Sequence, residues 1–214
     1  MADKKIKAVI FDMDGVLIDA KDWHYEALNK ALDYFGMAIS RYEHVTTYDG
    51  FPTRQKLKYL SIERNLPTGL HEFIHQLKQQ YTVDEILLKC KPQFQHQYAL
   101  ARLKKEGYRL AVCSNSVANS IQLMLSRAQI INYFDFFLSN EDVKNSKPDP
   151  EMYNKAIERL SVKPSECLII EDNPQGIEAA RLSGALILEV SDTSDVNYEN
   201  IITRINEIES GVVV

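Results

Sequence analysis

The chain has 214 residues, 45% of them hydrophobic and 26% charged, which is typical of a globular protein large enough to bury a core. Its 30 acidic and 25 basic residues give a net charge of -5, and its longest basic cluster is Lys104-Lys105, so we expect no nucleic-acid partner. The first apolar run is too short for a signal peptide or a membrane span, and we expect no membrane partner.

The first predicted element is a buried strand over residues 6–11, which the acidic sequence Asp12-Met13-Asp14-Gly15 follows directly. Residues 20–92 then show helical patterns without a strand, which indicates an inserted helical segment. Its first helix is predicted over residues 19–35. Leu28 and Leu32 widen the apolar stripe of this helix, which contains Trp23, Ala27, Ala31, Tyr34 and Phe35.

Four more strands are predicted in the second half of the chain, and two of them end in polar residues. The strand over residues 109–113 precedes Ser114 and Asn115. The strand over residues 167–170 precedes Glu171 and Asp172. Shorter strands are predicted over residues 136–138 and 185–190.

Helices are predicted between these strands. One, over residues 93–106, ends at Gly107, and two others begin at Pro150 and Pro174. Asp149 and Asn173 precede the two prolines and are placed to cap these helices. The alternation of strands and helices indicates an α/β fold with a parallel sheet.

The polar strand ends are predicted to form one site, because ligands bind at the carboxyl ends of parallel strands. Four acidic residues would meet there: Asp12, Asp14, Glu171 and Asp172. Each pair of carboxylates about 4 Å apart repels by on the order of 4 kcal/mol at an effective dielectric constant near 20, so a cation must offset the repulsion. An all-oxygen site with several carboxylates suits Mg²⁺, and Lys147 can supply a second positive charge.

Phosphate fits the remaining groups of this site. The hydroxyl of Ser114, the amide of Asn115 and backbone N–H groups in the Gly15 loop can bind phosphate oxygens. Asp12 can then attack phosphorus and form an aspartyl-phosphate. Asp14 is placed to protonate the leaving alcohol and afterwards to deprotonate water.

This constellation resembles the haloacid dehalogenase superfamily, within it the phosphatase and β-phosphoglucomutase-like branch. The resemblance covers residues 1–19 and about 93–214 and rests on four motifs in order: 12–19 (Asp-Met-Asp-Gly-Val-Leu-Ile-Asp), 113–115 (Cys-Ser-Asn), 147–150 (Lys-Pro-Asp-Pro) and 171–180 (Glu-Asp-Asn-Pro-Gln-Gly-Ile-Glu-Ala-Ala). It implies a Rossmann-like three-layer α/β core over residues 1–19 and 93–214. It also implies that residues 20–92 form a mobile, all-helical cap domain.

The resemblance also implies a role for each core residue. Asp12 would be nucleophile and metal ligand, and Asp14 would be general acid and base and would bind the metal through its carbonyl group. Glu171 and Asp172 would complete the protein ligands of Mg²⁺. The groups that would hold phosphate are Ser114, Asn115 and Lys147. Because the dehalogenase and phosphonatase branches place no aspartate at the position of Asp14, those two activities are not expected.

The resemblance defines cap candidates less sharply. The offset of His24 from Asp12 matches a histidine that β-phosphoglucomutase-like enzymes use near the leaving group, whereas its place on the apolar stripe fits a packing histidine equally well. The turn that contains Thr53 and Arg54 resembles the specificity loop of the family, but the arginine comes one residue later than in the mutase. Lys78 is another candidate, although its neighbours Gln79 and Gln80 favour a solvated face.

The sequence therefore predicts a phosphatase that acts on a small phosphorylated metabolite, plausibly a sugar phosphate. A sugar phosphomutase and a non-enzymatic phospho-acceptor switch are the alternatives. The three cysteines show no paired spacing, so we expect buried thiols, a reducing compartment and a cytoplasmic location. We expect a monomer, and the tail over residues 211–214 predicts no function.

Overall fold

The computed structural model describes residues 5–211, so residues 1–4 and the tail beyond Gly211 lie outside the described part. The described residues form one five-stranded sheet. Its strands are β1 (Ala8–Phe11), β2 (Arg109–Cys113), β3 (Phe136–Leu138), β4 (Cys167–Glu171) and β5 (Leu186–Glu189). All pairings are parallel, in the order β3-β2-β1-β4-β5, which confirms the predicted α/β fold.

The central strand β1 is covered on both faces. All four of its side chains are fully buried, as expected for a parallel strand between two helical layers. On one face the sheet packs against two helices in a core that includes Ile10, Ala111, Ile169, Met152 and Ala180. The reversal of strand order beside β1 is where ligands bind in folds of this kind.

The described part of Met1–Asp19 and of Lys91–Val214 forms one compact unit, which we call the sheet unit. Besides the strands it contains helices α5 (Phe94–Lys105), α6 (Ala118–Arg127), α7 (Glu151–Arg159), α8 (Pro174–Ser183) and α9 (Tyr198–Ser210), and 3-10 turns at Ile131–Tyr133 and Pro164–Glu166. The sequence did not predict α9.

The predicted cap of α8 is present, whereas α7 begins at Glu151, one residue after the predicted start at Pro150. The Asp149 carboxylate accepts a hydrogen bond from the backbone N–H of Glu151, and the Asn173 side chain accepts one from that of Gln175. Helix α8 is followed by Gly184, whose φ of 74° lies in the left-handed region. All three cysteines are buried and free, as predicted.

The second compact unit is Ala20–Cys90, which we call the helical unit. It contains α1 (Lys21–Asp33), α2 (Arg41–Glu43), a π-helical turn (His44–Tyr48), α3 (Thr53–Arg64), a 3-10 turn (Thr68–Leu70) and α4 (His71–Lys89). Among the described residues of the chain, no helix is both long and apolar enough to cross a membrane.

The helical unit has its own core, around Leu28, Leu57 and Ile74. The apolar stripe predicted for α1 is mostly correct, since Ala27, Leu28, Ala31 and Leu32 are buried. Tyr34 was placed wrongly on this stripe. It follows the last residue of α1 and is 71% exposed, because the chain leaves the helix there.

Candidate active site

The site is built at the carboxyl end of β1. Phe11 pairs with Val112 of β2 and with Ile170 of β4, so the next residues of the three strands, Asp12, Cys113 and Glu171, lie in one row. The backbone N–H of Asp12 continues the ladder by donating to the Ile170 carbonyl over 3.0 Å. The parallel register therefore brings residues that are far apart in sequence to one edge of the sheet.

Lys147 lies between the two acidic residues of this row. Its ammonium group donates to Asp12 Oδ1 and to Glu171 Oε1, each over 2.6 Å, and to the Cys113 carbonyl over 2.9 Å. A lysine has three N–H donors, so these contacts satisfy the whole group. With only 3% of its surface exposed, Lys147 is a buried cation that its partners hold in place.

The site carries more negative than positive charge. Burial raises the pKa of Asp12 well above its ordinary value, and Glu171, Asp172 and Asp14 raise it further against the opposing effect of Lys147. Burial alone would lower the pKa of Lys147, but the carboxylates of Asp12 and Glu171 raise it, so the lysine stays protonated. The excess of carboxylates indicates that a further cation is needed.

Three of the carboxylates fit such a cation. Asp12, Glu171 and Asp172 each offer an oxygen, and these atoms lie within 4.8 Å of one another. A set of carboxylate oxygens suits a hard divalent ion. The Asp14 carboxylate points to two serine hydroxyls instead: its Oδ2 accepts from Ser114 Oγ over 3.1 Å and from Ser116 Oγ over 2.9 Å.

The loop after β1 places Asp14 for these contacts. Gly15 has a φ of 95°, a conformation that glycine adopts without strain, and its N–H donates to the Ile18 carbonyl over 2.7 Å. The Met13 carbonyl accepts from the N–H groups of Leu17 and Ile18. The sequence predicted Ser114 but missed Ser116, although both hydroxyls follow β2.

Asn115 connects the β2 end to the lysine loop. Its side-chain oxygen accepts from the Lys147 N–H over 3.2 Å, and its side-chain nitrogen donates to the Lys147 carbonyl over 3.3 Å. The Asn115 carbonyl accepts from the side chain of Asn140 over 2.8 Å. The amide predicted to bind phosphate thus also fixes the backbone that carries Lys147.

Two further residues enclose Glu171, and sequence reasoning missed both. The Tyr153 hydroxyl, on α7, donates to Glu171 Oε1 over 2.5 Å, and burial raises the pKa of this phenol. On the other side lies Gly176 of α8, where a Cβ atom would overlap the Glu171 carboxyl group. Tyr153 comes three residues after the lysine motif and Gly176 lies inside the acidic motif, but no pattern in the sequence indicates that either contacts Glu171.

The helical unit contains the other predicted residues. Lys78 is only 6% exposed, so the interpretation as a solvated face is wrong; its ammonium group lies 3.2 Å from Nδ1 of His24. Thr53 begins α3. The Arg54 side chain is 72% exposed and lies 3.5 Å from Glu72.

The helical unit also buries His44, which the sequence did not single out. It is 5% exposed and its Nε2 atom lies 3.8 Å from Asp49 Oδ1. Burial lowers the pKa of His44 to about 4, and the positive charge of Lys56 contributes. Lys56 is itself buried. The helical unit therefore holds several basic side chains in its interior.

Comparison with known proteins gives a consistent family. The family described as haloacid dehalogenase-like hydrolase matches residues 9–190. A phosphorylated carbohydrates phosphatase from Thermotoga maritima is 33% identical over 182 residues, which cover 84% of this chain and 82% of that protein. The pyrophosphatase PpaX from Bacillus velezensis is 27% identical over 186 residues, 86% of this chain and 82% of that protein.

Solved structures give the same result. The crystal structure of β-phosphoglucomutase from Clostridium difficile is similar with a TM-score of 0.82 and 25% identity. The match covers 96% of this chain and 99% of that one. The similarity therefore extends over both compact units.

Proposed function

The chain belongs to the haloacid dehalogenase-like hydrolase family, in its phosphatase and phosphomutase branch, and from this premise we propose that it is a Mg²⁺-dependent phosphatase of small phosphomonoesters. The observation that carries the proposal is the placement of Asp12. It is a buried carboxylate at the end of the central strand, 2.6 Å from Lys147 and clustered with Glu171 and Asp172. The name of the Thermotoga maritima relative favours a phosphorylated carbohydrate as substrate.

In the first step, an oxygen of the Asp12 carboxylate forms a bond to phosphorus while the bond from phosphorus to the leaving alcohol oxygen breaks. Asp14 gives its proton to that oxygen. Lys147 supports the step in two ways: it orients Asp12 through Oδ1, and its charge offsets that of the phosphoryl oxygens. Ser114 and Asn115 at the end of β2 would bind those oxygens.

In the second step, the Asp14 carboxylate takes a proton from water, and the water oxygen attacks phosphorus. The bond between phosphorus and Asp12 breaks, which releases inorganic phosphate and restores both carboxyl groups. Before substrate binds, the hydroxyl groups of Ser114 and Ser116 hold the Asp14 side chain, and Ser116 can keep its contact when Ser114 turns to the phosphoryl oxygens.

Mg²⁺ would be held by Asp12, Glu171 and Asp172, with the Asp14 carbonyl as a further ligand. When bound, the ion would neutralise carboxylate charge and polarise phosphate oxygens. A divalent ion fits because, among the described residues that contact Asp12 and Glu171, Lys147 supplies a single ammonium group for several carboxylates.

The proposal is tested by a phosphate-release screen over sugar phosphates, nucleotides, pyrophosphate and phosphoglycolate, with and without Mg²⁺. We expect release from at least one sugar phosphate, its loss on chelation, and its loss in Asp12→Asn. Rapid release that persists in Asp12→Asn would contradict the assignment of the nucleophile.

A sugar phosphomutase is the second candidate, because the similarity to β-phosphoglucomutase covers both units and His24 lies at a matching offset from Asp12. Thr53 replaces the arginine of the mutase's specificity loop, which favours the phosphatase. Incubation with glucose 1-phosphate distinguishes the two: a phosphatase releases phosphate, whereas a mutase forms glucose 6-phosphate without phosphate release. The passive switch is not retained, because the family consists of enzymes.

The domain roles belong to the same proposal. The sheet unit would carry the chemistry, and residues 20–92 would act as a cap domain that determines the substrate. A monomeric state and a cytoplasmic location stay predictions. The compact units divide the chain after Asp19 and after Cys90.

A further inference from the structure

Tyr153 lies outside the four motifs and contacts the site directly. It is fully buried on α7, and its hydroxyl donates to Glu171 Oε1 over 2.5 Å. The Lys147 ammonium group lies 4.7 Å from the centre of its ring. Tyr153 therefore touches both the acidic residue and the lysine, while making no contact of its own with Asp12 among the hydrogen bonds of the described chain.

The hydroxyl completes the set of donors around Glu171. Oxygen Oε1 accepts from Tyr153 and from Lys147, and Oε2 accepts from the backbone N–H groups of Asp172 over 3.1 Å and of Asn173 over 3.4 Å. The two short contacts of Oε1 fix the plane of the group, and the long 3.4 Å contact leaves a lone pair of Oε2 for a metal ion.

Packing fixes the same carboxyl group from the side of α8. A Cβ atom at Gly176 would overlap both oxygens and the carboxyl carbon of Glu171. Glycine is thus required at this place for Glu171 to keep its position. The carboxyl group lies in a socket formed by Tyr153, Lys147 and Gly176, with 1% of the residue exposed.

We propose that Tyr153 is a positioning residue of the site: its hydroxyl fixes the Glu171 carboxylate and, through Glu171 and Lys147, the orientation of Asp12. The inference rests on the proposed phosphatase function for its effect on turnover. Its effect on metal binding depends only on the acidic cluster.

The hydroxyl, not the ring, carries this role. A phenylalanine would fill the same space and would still face the Lys147 ammonium group. It would leave Oε1 with one donor instead of two, and the carboxylate could then rotate away from the metal cluster. Groups that orient metal ligands in this way typically change metal affinity or activity by about 10–100-fold when they are removed.

The test compares Tyr153→Phe with Tyr48→Phe. Tyr48 is also a buried tyrosine that donates to a glutamate, Glu63 over 2.8 Å, but it lies in the helical unit. Both variants lose one phenol–carboxylate hydrogen bond, so a purely structural effect should be similar in the two. Mn²⁺ binding is measured by calorimetry. The values of kcat and KM are measured with p-nitrophenyl phosphate and Mg²⁺, and folding is checked by thermal denaturation.

We expect Tyr153→Phe to weaken Mn²⁺ binding about 10-fold or more and to lower kcat with little change in KM. Tyr48→Phe should bind Mn²⁺ as the wild type does. Equal Mn²⁺ affinity in wild type and folded Tyr153→Phe would overturn the proposal, as would equal losses in both variants. If the wild type binds Mn²⁺ but releases no phosphate from any substrate, the proposed function fails while the calorimetry still decides the role of Tyr153.

Gly176→Ala provides a second variant in case Tyr153→Phe does not fold. It displaces the Glu171 carboxyl group and leaves the phenol intact, and Gly69→Ala is its control because a Cβ at Gly69 meets no atom within 4 Å. We expect Mn²⁺ affinity to fall in Gly176→Ala alone. Wild-type affinity in Gly176→Ala would count against the socket.

Discussion

Each unit buries a basic side chain among ionisable neighbours, but the pKa of that side chain is raised in one unit and lowered in the other. In the sheet unit, Lys147 lies between Asp12 and Glu171, and their carboxylates raise its pKa despite burial. In the helical unit, His44 lies near Lys56, and burial together with that charge lowers its pKa to about 4. At pH 7 the first residue is charged and the second is neutral.

The two units also differ in the sign of the charged groups that they bury. The carboxylates of the sheet unit are close enough to hold a lysine and still have negative charge left for a metal ion. The helical unit buries Lys56, Lys78 and His44, and its acidic Glu85 is already bound by Lys30 and Lys89. Under the proposed function, the sheet unit would carry the chemistry and the helical unit would supply positive charge for an anionic substrate.

Replacement of the buried lysine of the sheet unit should have the largest effect. Lys147→Met leaves the Asp12 and Glu171 carboxylates without their shared cation, which should destabilise the protein by about 3–5 kcal/mol at pH 7. Turnover of p-nitrophenyl phosphate should fall about 100-fold or more, since Asp12 loses its orienting contact. Urea unfolding and initial rates measure the two effects, and the exposed Lys144→Met is the control.

The pH dependence of Lys147→Met provides a check. Without the lysine, which lowers it, the folded pKa of Asp12 should rise further above the unfolded value. Such a group binds more protons in the folded state, so the lost stability should be partly regained as pH falls from 7 to 5. A loss of stability that is the same at both pH values would show that charge is not its cause.

The buried lysine of the helical unit should have a smaller effect of another kind. Lys78→Met removes the ammonium group that lies near His24 in the helical unit and leaves the Lys147 contact of Asp12 in place. We expect KM for a sugar phosphate to rise about 10-fold, the change expected from the loss of one charge-assisted contact. Turnover of p-nitrophenyl phosphate should fall much less than in Lys147→Met. Equal losses in the two lysine variants would contradict the division between units.

The smallest effect concerns His44 and stability. Because its folded pKa of about 4 lies below the ordinary value of 6.5, the unfolded chain binds a proton more readily between these values. The stability that depends on neutral His44 is present above about pH 6.5 and is lost as pH falls toward about 4. His44→Gln should show a weaker decrease in unfolding midpoint over that range than the wild type. An identical decrease would exclude His44 as its source.

The sequence predicted the sheet unit well because its site lies at strand ends. Asp12, Ser114 and Glu171 each follow an apolar run directly, and a parallel sheet brings such positions together. Tyr153 and Gly176 were missed because their roles depend on how α7 and α8 pack against Glu171. No local pattern encodes that contact.

The helical unit was harder to predict because its basic residues come from separate helices without a shared motif. The neighbours Gln79 and Gln80 suggested a solvated Lys78, yet Lys78 lies on the buried face of α4 with Ile74, Thr82 and Ile86, and its ammonium group lies near His24. His44 begins a π-helical turn, which hydrophobic periodicity does not indicate.

The central claim is that Asp12 is phosphorylated during turnover and that Asp14 completes both steps. With p-nitrophenyl phosphate as substrate, Asp14→Asn should accumulate the acyl phosphate on Asp12. The first step proceeds because p-nitrophenolate leaves without a general acid, whereas the second step is slow because water lacks its base. After rapid acid quenching, borohydride reduction converts phosphorylated Asp12 into homoserine. Peptide mass spectrometry then locates the homoserine. We predict homoserine at position 12 only when substrate and Mg²⁺ are present. Phosphate release without any homoserine at position 12, or with it at another residue, would contradict the account.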